Sequence, residues 1–559
     1  MEPPSYIYQA LQHPRAIRLI RLYPGEEYEQ ICCDIKHDRL DYLPPYEALS
    51  YTWGDPTKRN TILCKENSAT LTITLNCESA LRRLRRQDEA RMLWIDAISI
   101  DQSNIQERNE QVRLMWAIYT QAAKVLVYLG EHSTDSAMAM DFIAADYKIL
   151  TSTHESRPSL GIDSGNPKSA QQQAIENILT RSWFERVWVI QEVAFPSNVE
   201  VLCGDRTVPW DALVLTVTRF ETTLKESRTS NAIPKVPNIV YVREKTKIDE
   251  SSGLLQKLHD TRHCKSTDPR DKIYALLEMV TEPSDISADY NRSKKDAYVG
   301  VARSLIERDQ CLDVLSGVQG RLSQELPSWV PDWSEPPVSD VLGRPGGWKK
   351  KFDANNGHPS NVRFLAESSI IMVGGRAFDV IYEVSAKYAL DDIALRSTLQ
   401  QWEQKASTLK TYPTGEDVNV AFLETLIAST FPSSWKTPHT AVRMFSQSWH
   451  SRWLDRLPPP DIAYSSSMSA KEAHVFNEMV IRACNGRRFF TTRRGYMGLG
   501  PSDIQIGDTV AVMLGGQVPF ILRTQDDANI LIGESYVHGI MNGEALNDLD
   551  FEFRNFLIK

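Results

Sequence analysis

The chain has 559 residues, enough at about 150 residues per domain for three or four domains and a substantial core. Hydrophobic residues make up 42% and charged residues 24%, the profile of a folded globular chain rather than a disordered or collagenous one. With 63 basic against 72 acidic residues the formal charge is −9, which argues against a general binder of nucleic acid or of anionic membranes.

The eight cysteines include no Cys-x-x-Cys pair, and no Cys/His set has zinc spacing. Cys32 and Cys33 are adjacent, an arrangement that suits neither a usual disulfide nor a metal knuckle, so reduced thiols in a cytoplasmic protein are expected. The first 25 residues lack the unbroken apolar run of a signal peptide. No stretch approaches the roughly 18 apolar residues of a membrane span.

Residues 1–43 read as a lead-in segment. In it, Ile17–Gly25 (IRLIRLYPG) alternates apolar and charged residues, as an edge strand ending in a turn would. Tyr46–Tyr51 (YEALSY) is a short strand, and Thr52–Pro56 (TWGDP) a turn in which Gly54 supplies a backbone angle other residues resist. Ala69–Asn76 alternates with period two and predicts a strand, followed by a basic helix over Glu78–Arg86. Met92–Asp96 (MLWID) and Val125–Leu129 (VLVYL) are buried strands. Between them Ser103-Asn104-Ile105-Gln106 fits a capping box, with Ile105, Val112, Met115, Trp116 and Tyr119 as the core stripe of the helix it opens. Strand, helix, strand in this order predicts a parallel crossover.

Residues 151–170 are rich in Ser, Gly, Pro and Asn and predict a loop insertion. Ser182-Trp183-Phe184-Glu185 is a second capping box. In the helix it would open, Trp183, Val187, Ile190 and Ala194 form the buried stripe, and Glu192 lies roughly 200° around from Ile190, facing away from it. Val199–Cys203 and Arg206–Pro209 predict a hairpin around Gly204-Asp205. The stretch 201–340 reads as a mainly helical middle region and 341–484 as a helical and loop region. From Arg487 short period-two runs separated by Gly turns predict a β-rich region over 485–559, a small barrel or sandwich.

The blocks YEALSYTWGDP, LWIDAISIDQSNIQERNEQV, AKVLVYLG and RSWFERVWVIQEVA, in that order over about Tyr46 to Ala194, resemble the fungal heterokaryon-incompatibility (HET) domain family. TDPRDKIYALL, LPSWVPDWS, RRFFTTRRGYMGLGP and GGQVPFILR look like the C-terminal extensions many such proteins carry. The resemblance implies self/non-self recognition and programmed cell death, with protein partners and self-assembly. HET domains are in turn related to TIR domains, which implies an α/β, TIR/flavodoxin-like parallel sheet over residues 44–200.

The segment Trp188-Val189-Ile190-Gln191-Glu192 is similar to the W-x-x-x-E pattern of TIR domains that cleave NAD, which implies Glu192 as the catalytic carboxylate. NAD is then a substrate, and no cofactor or metal is implied. Cleaving the nicotinamide–ribose bond builds positive charge on the sugar, which a carboxylate stabilises. Aromatic rings can stack on a base or on nicotinamide. Trp188, one turn before Glu192, together with Tyr51, Trp53 and Asp96, makes up the expected binding set. In the plain alternative Trp188 is core, Glu192 pairs with Arg186 or Arg181, and the domain is a non-enzymatic adaptor acting by self-assembly. Asp96 and Asp101 can bind ribose hydroxyls or simply cap turns. Gln102, Glu107, Arg108 and Gln111 can line a cleft, form a subunit contact or be a solvated helix face. No phosphate-cradling Gly loop and no G-x-S-x-G signature is present.

Overall fold

The computed structural model describes residues 3–152, 170–227, 253–280, 285–320, 325–342, 352–365, 369–388, 392–430, 470–547 and 553–559. Almost all of the expected 151–170 insertion lies outside them. The chain forms two compact units, Met1–Pro283 with Ser287–Arg292, and Ser284–Ile286 with Ser293–Lys559.

The first unit is built on nine strands: β1 (Ala16–Leu22), β2 (Cys32–Arg39), β3 (Glu47–Tyr51), β4 (Arg59–Cys64), β5 (Ala69–Thr74), β6 (Arg91–Trp94), β7 (Lys124–Tyr128), β8 (Val199–Cys203) and β9 (Arg206–Pro209). They lie in the order β5-β4-β2-β1-β6-β3-β7-β8-β9. The run β6-β3-β7-β8 is parallel, as the alternation of strands and helices predicts. The sheet as a whole is mixed rather than all-parallel, because β1 enters antiparallel to both β2 and β6 and the β8–β9 hairpin turns back on itself.

β1 is an interior strand, not the edge strand that its charged residues suggest. Arg18 is fully buried, and its guanidinium holds both carboxylate oxygens of Glu107, one at 2.9 Å, as well as the carbonyls of Ser99 and Gln9. A neutralised arginine thus occupies a core position that reads as solvent-facing in the sequence.

Helix α1 (Leu75–Leu84) is capped by Thr74 and packs Cys77, Ala80, Leu81 and Leu84 into the core formed with β1 to β7. After β6 comes the single turn α2 (Asp96–Ser99). Helix α3 (Ile105–Gln121) starts one residue later than the S-x-x-Q reading places it: Asn104 is the cap, accepting from the Glu107 amide at 3.1 Å. Val112, Met115 and Tyr119 are buried as expected, whereas Ile105 is exposed. Glu107 and Gln111 are neither cleft nor solvated face. They tie α3 to β1, Glu107 through Arg18 and Gln111 through the Ala16 carbonyl at 2.9 Å.

Helices α4 (Ser136–Ser152) and α5 (Ala170–Leu179) follow β7. The helix expected from Ser182 is interrupted. Ser182–Glu185 is one 3₁₀ turn, Arg186 is extended, and the helix resumes as α6 (Val189–Ala194). The cause is a strand-like pairing of this stretch with a distant segment: the Val187 amide donates to the Lys265 carbonyl at 2.9 Å and Lys265 bonds back to Glu185. Every residue of α6 is buried, so the face on which Glu192 lies, away from the Trp183, Val187, Ile190 and Ala194 stripe, is enclosed as well. Helices Trp210–Ser227, Leu254–Asp260 and Asp271–Leu277 make up the described part of the helical stretch that follows.

The second unit contains helices Lys294–Asp309, Asp392–Ala406, Val418–Leu426 and Ala470–Cys484 and a β-barrel. Its strands are β10 (Val362–Phe364), β11 (Ile371–Lys387), β12 (Arg487–Thr492), β13 (Met497–Pro501), β14 (Thr509–Met513), β15 (Phe520–Gln525), β16 (Ala528–Glu534), β17 (Tyr536–Val537) and β18 (Arg554–Ile558). The order β14-β15-β16-β18-β11 closes through a β11–β14 pairing, and β12, β13 and β17 extend it. β11 begins against β18, continues along β14 and finishes on β12, with register shifts within its β14 and β12 pairings. At Gly375 a Cβ would stand 2.6 Å from the Val512 carbonyl oxygen, so only glycine allows this backbone approach. β11 lies in the stretch read from sequence as helix and loop, where Gly374-Gly375, Asp379 and Glu383 break the alternation.

Candidate active site

The parallel strands β6, β3, β7 and β8 present their carboxyl ends on one edge, the position at which open α/β sheets gather ligand-binding groups. Ser50 and Tyr51 end β3, and Asp96 follows β6. α6 brings Glu192 to the same edge, where Ser50 donates a hydrogen bond to its Oε2. The Ser50 Oγ in turn accepts from the Trp183 indole N–H at 2.8 Å. Ser50 and Trp183 are both buried and complete a chain from indole to hydroxyl to carboxylate.

Arg186 brings a positive charge to these groups. Its guanidinium stands 3.9 Å from Glu192 Oε1 and donates to the Tyr51 carbonyl. It can reach both because the extended Arg186 lies just ahead of α6. Arg181, the other partner considered for Glu192, instead donates to the carbonyls of Leu129 and Glu131.

Asp96 is buried, with Oδ2 accepting from the Trp53 indole N–H at 2.8 Å and Oδ1 from the Ala97 amide at 2.7 Å. Trp53 is 39% exposed, so its ring keeps a solvent-facing surface although its N–H is engaged. The turn that carries it depends on Gly54, at φ +76°, where a Cβ would come within 3.1 Å of Asn76 Cβ. Asn76 on α1 braces the turn by donating to the Thr52 carbonyl and, at 3.2 Å, to its hydroxyl.

The Arg186 charge acts on both acids. Burial pushes the Glu192 carboxyl up to about 7; Arg186 and the Ser50 hydrogen bond pull against that rise, and the Asp96 charge adds to it. Burial also raises Asp96, opposed by Arg186 and by its bonds from Trp53 and Ala97. A carboxyl group poised near neutrality, beside a second acid and a fixed cation, can exchange a proton or stabilise positive charge at physiological pH.

Of the residues expected from sequence, Glu192 and Asp96 both feel the Arg186 charge, and Trp53 joins them through its bond to Asp96. Tyr51 joins through its carbonyl, while its ring is buried beside Cys77. Trp188 points its hydrogen bond elsewhere, to the Asp271 carboxylate, which also accepts from the Tyr290 hydroxyl at 2.6 Å. Arg108 stacks over Tyr290 at 3.6 Å, so it too belongs to this second cluster. Asp101 caps the turn before α3, accepting from the Ser103 amide and hydroxyl. Sequence reasoning missed Ser50, and took Trp183 as plain core. Ser50 stood beside Tyr51 at the end of a recognised strand, which was the available signal.

The heterokaryon incompatibility protein (HET) family matches residues 46–192, and the Het-6 beta-barrel domain matches residues 460–558. The chain carries a HET domain and a Het-6 barrel domain. Ser50, Asp96, Trp183, Arg186 and Glu192 all fall within the HET match. The chain is homologous to heterokaryon incompatibility protein 6, OR allele, of Neurospora crassa, with 26% identity covering 98% of this chain and 97% of that protein. It is 29% identical over 167 residues to vegetative incompatibility protein HET-E-1 of Podospora anserina, covering 29% of this chain and 10% of that protein. No solved structure matches. Among the described residues no helix is long and apolar enough to cross a membrane.

Proposed function

We propose that this protein acts in heterokaryon incompatibility, as an effector of self/non-self recognition and programmed cell death, and that its HET domain kills by cleaving the nicotinamide–ribose bond of NAD at Glu192. The Neurospora crassa incompatibility protein it resembles over nearly its whole length supports the biological role. The observation that carries the chemistry is the Glu192 carboxyl, raised by burial to about 7 at the carboxyl edge of the parallel strands β6, β3, β7 and β8. In this reading the ionised carboxylate stabilises the positive charge that grows on the ribose as nicotinamide departs. Asp96 contacts the ribose hydroxyls and the open face of Trp53 stacks on a base. A cationic nicotinamide ring beside Glu192 favours its ionised form.

Glu192 is only 1% exposed, so the resting protein is autoinhibited in this reading. Assembly with like domains or with a protein partner in the cytoplasm parts α6 from the Trp53 turn and admits the substrate.

The same enclosure favours a second reading, in which Glu192 is structural and the domain is an adaptor that acts by self-assembly. Its existing partners, Ser50 and Arg186, need no substrate. One experiment separates the two. Full-length protein, concentrated or crosslinked, is incubated with NAD and released nicotinamide is measured for wild type and Glu192→Gln, with cell killing on overexpression scored in parallel. Release that is abolished in the variant supports catalysis. Equal turnover in both removes Glu192 as the catalyst, and undiminished killing without NAD loss establishes the adaptor.

A further inference from the structure

In the nine-stranded sheet the joint between β2 and β4 is short. β2 has eight residues and β4 six, yet they pair over only two positions, Cys32 with Leu63 and Cys33 with Cys64. Cys33 and Cys64 are therefore direct neighbours across parallel strands, with side chains on the same face of the sheet. In-register residues on adjacent strands are separated by about 4.8 Å, inside the span of about 4.4 to 6.8 Å that a disulfide bridges between Cα atoms. We propose that Cys33 and Cys64 are a redox modification site that closes to an intramolecular disulfide under peroxide.

The two thiols are not equivalent. The neighbouring Cys33 thiol favours the thiolate at Cys64, burial opposes it, and the Ile35 amide adds to the lowering, whereas Cys33 itself is raised. Both thiols are buried, Cys33 at 0% and Cys64 at 1% exposure, but Cys64 ends β4 directly before the exposed turn 65–68, which must open for a small oxidant to enter. In the first step the Cys64 thiolate attacks a peroxide oxygen, the O–O bond breaks, hydroxide leaves, and Cys64 carries a sulfenic acid. In the second step the Cys33 sulfur attacks that sulfur, the S–O bond breaks, and water departs with the Cys33 proton. Two thiols lose two electrons and two protons, and one peroxide becomes two waters. Cys32, one residue away, faces the opposite side of the pleat and is not the partner.

The bond would staple β4, and with it β5 and α1, to the rest of the sheet. α1 carries Asn76, the brace of the turn that holds Trp53. The disulfide itself does not depend on the NAD chemistry proposed above.

The test uses the full chain, treated with hydrogen peroxide, unfolded in iodoacetamide and mapped by mass spectrometry without reduction. A Cys33–Cys64 crosslinked peptide in most molecules, lighter by two hydrogen atoms, is the expected result. It should persist in Cys32→Ser and revert with dithiothreitol. Cys33 and Cys64 recovered unlinked, as alkylated thiols or as separate sulfinic acids, would overturn the proposal, as would a link that vanishes in Cys32→Ser. Because wild type is the primary sample, the result does not rest on a cysteine variant folding.

Discussion

Ser50 and Glu192 stand 142 positions apart and share a buried hydrogen bond, the serine hydroxyl donating to the carboxylate. Because Trp183 donates to the same hydroxyl, the serine is oriented by one neighbour toward the other. Removing it with Ser50→Ala leaves a buried indole N–H without its acceptor and a buried acid without its donor. The expected cost is about 1–3 kcal/mol per unsatisfied group, read as a lower denaturation midpoint. The variant should also raise the Glu192 pKa further, since that hydrogen bond favours the ionised form.

The raised Glu192 pKa has a defined pH signature. An acid whose folded pKa lies above its unfolded one holds its proton longer in the native state, so stability falls as pH rises between the two values. Here the window runs from 4.5, the ordinary value, to about 7. In Glu192→Gln that loss is absent. The stability of the variant relative to wild type should grow across this window, by up to roughly 3 kcal/mol at about 1.4 kcal/mol per pKa unit, and level off above it. Urea denaturation at a series of pH values measures it, and a difference that stays flat from pH 4 to 8 would refute the assignment.

Arg18 and Glu107 offer a test of how β1 is held inside the sheet. Glu107→Ala leaves a fully buried guanidinium without its counter-ion. The loss expected is about 3–5 kcal/mol. Amide hydrogen exchange should localise it, with protection in β1 and the start of α3 falling more than in β8.

In the barrel, Gly375→Ala places a methyl group 2.6 Å from the Val512 carbonyl oxygen and 2.8 Å from Met513 Cα, both backbone atoms that cannot turn aside. The β11–β14 seam must open by several tenths of an ångström, at a cost of about 1–3 kcal/mol. Thermal unfolding of the full chain should show a lower midpoint for the transition that reports on the barrel.

Much of this architecture is legible in the sequence, and what escapes does so for identifiable reasons. β3, β6 and β7 declare themselves as short apolar runs, and the strands after Arg487 by period-two alternation, because each signal is local. The start of α3 is legible to within one residue, the ambiguity lying between two adjacent residues that both make good caps. The placement of β1 is not legible, because the partner that neutralises Arg18 is 89 residues away. The break before α6 is hidden for the same reason: the Ser182–Glu185 pattern is a sound local helix start, and pairing with Lys265 overrides it. At the candidate site, the carboxylates and Trp53 follow from the motifs, but Ser50 does not. Nothing near Ser50 in sequence discloses that an acid from α6 will arrive to meet it.

The position of β3 bears on how the protein is made. It lies between β6 and β7, both of which follow it in the chain. As the polypeptide leaves the ribosome from its N-terminus, this apolar strand emerges early, waits with both edges bare until β6 appears about 40 residues later, and keeps one edge bare until β7 appears about 80 residues on. Such delayed, long-range pairing is slow and invites aggregation, so the nascent chain should depend on chaperones over that interval.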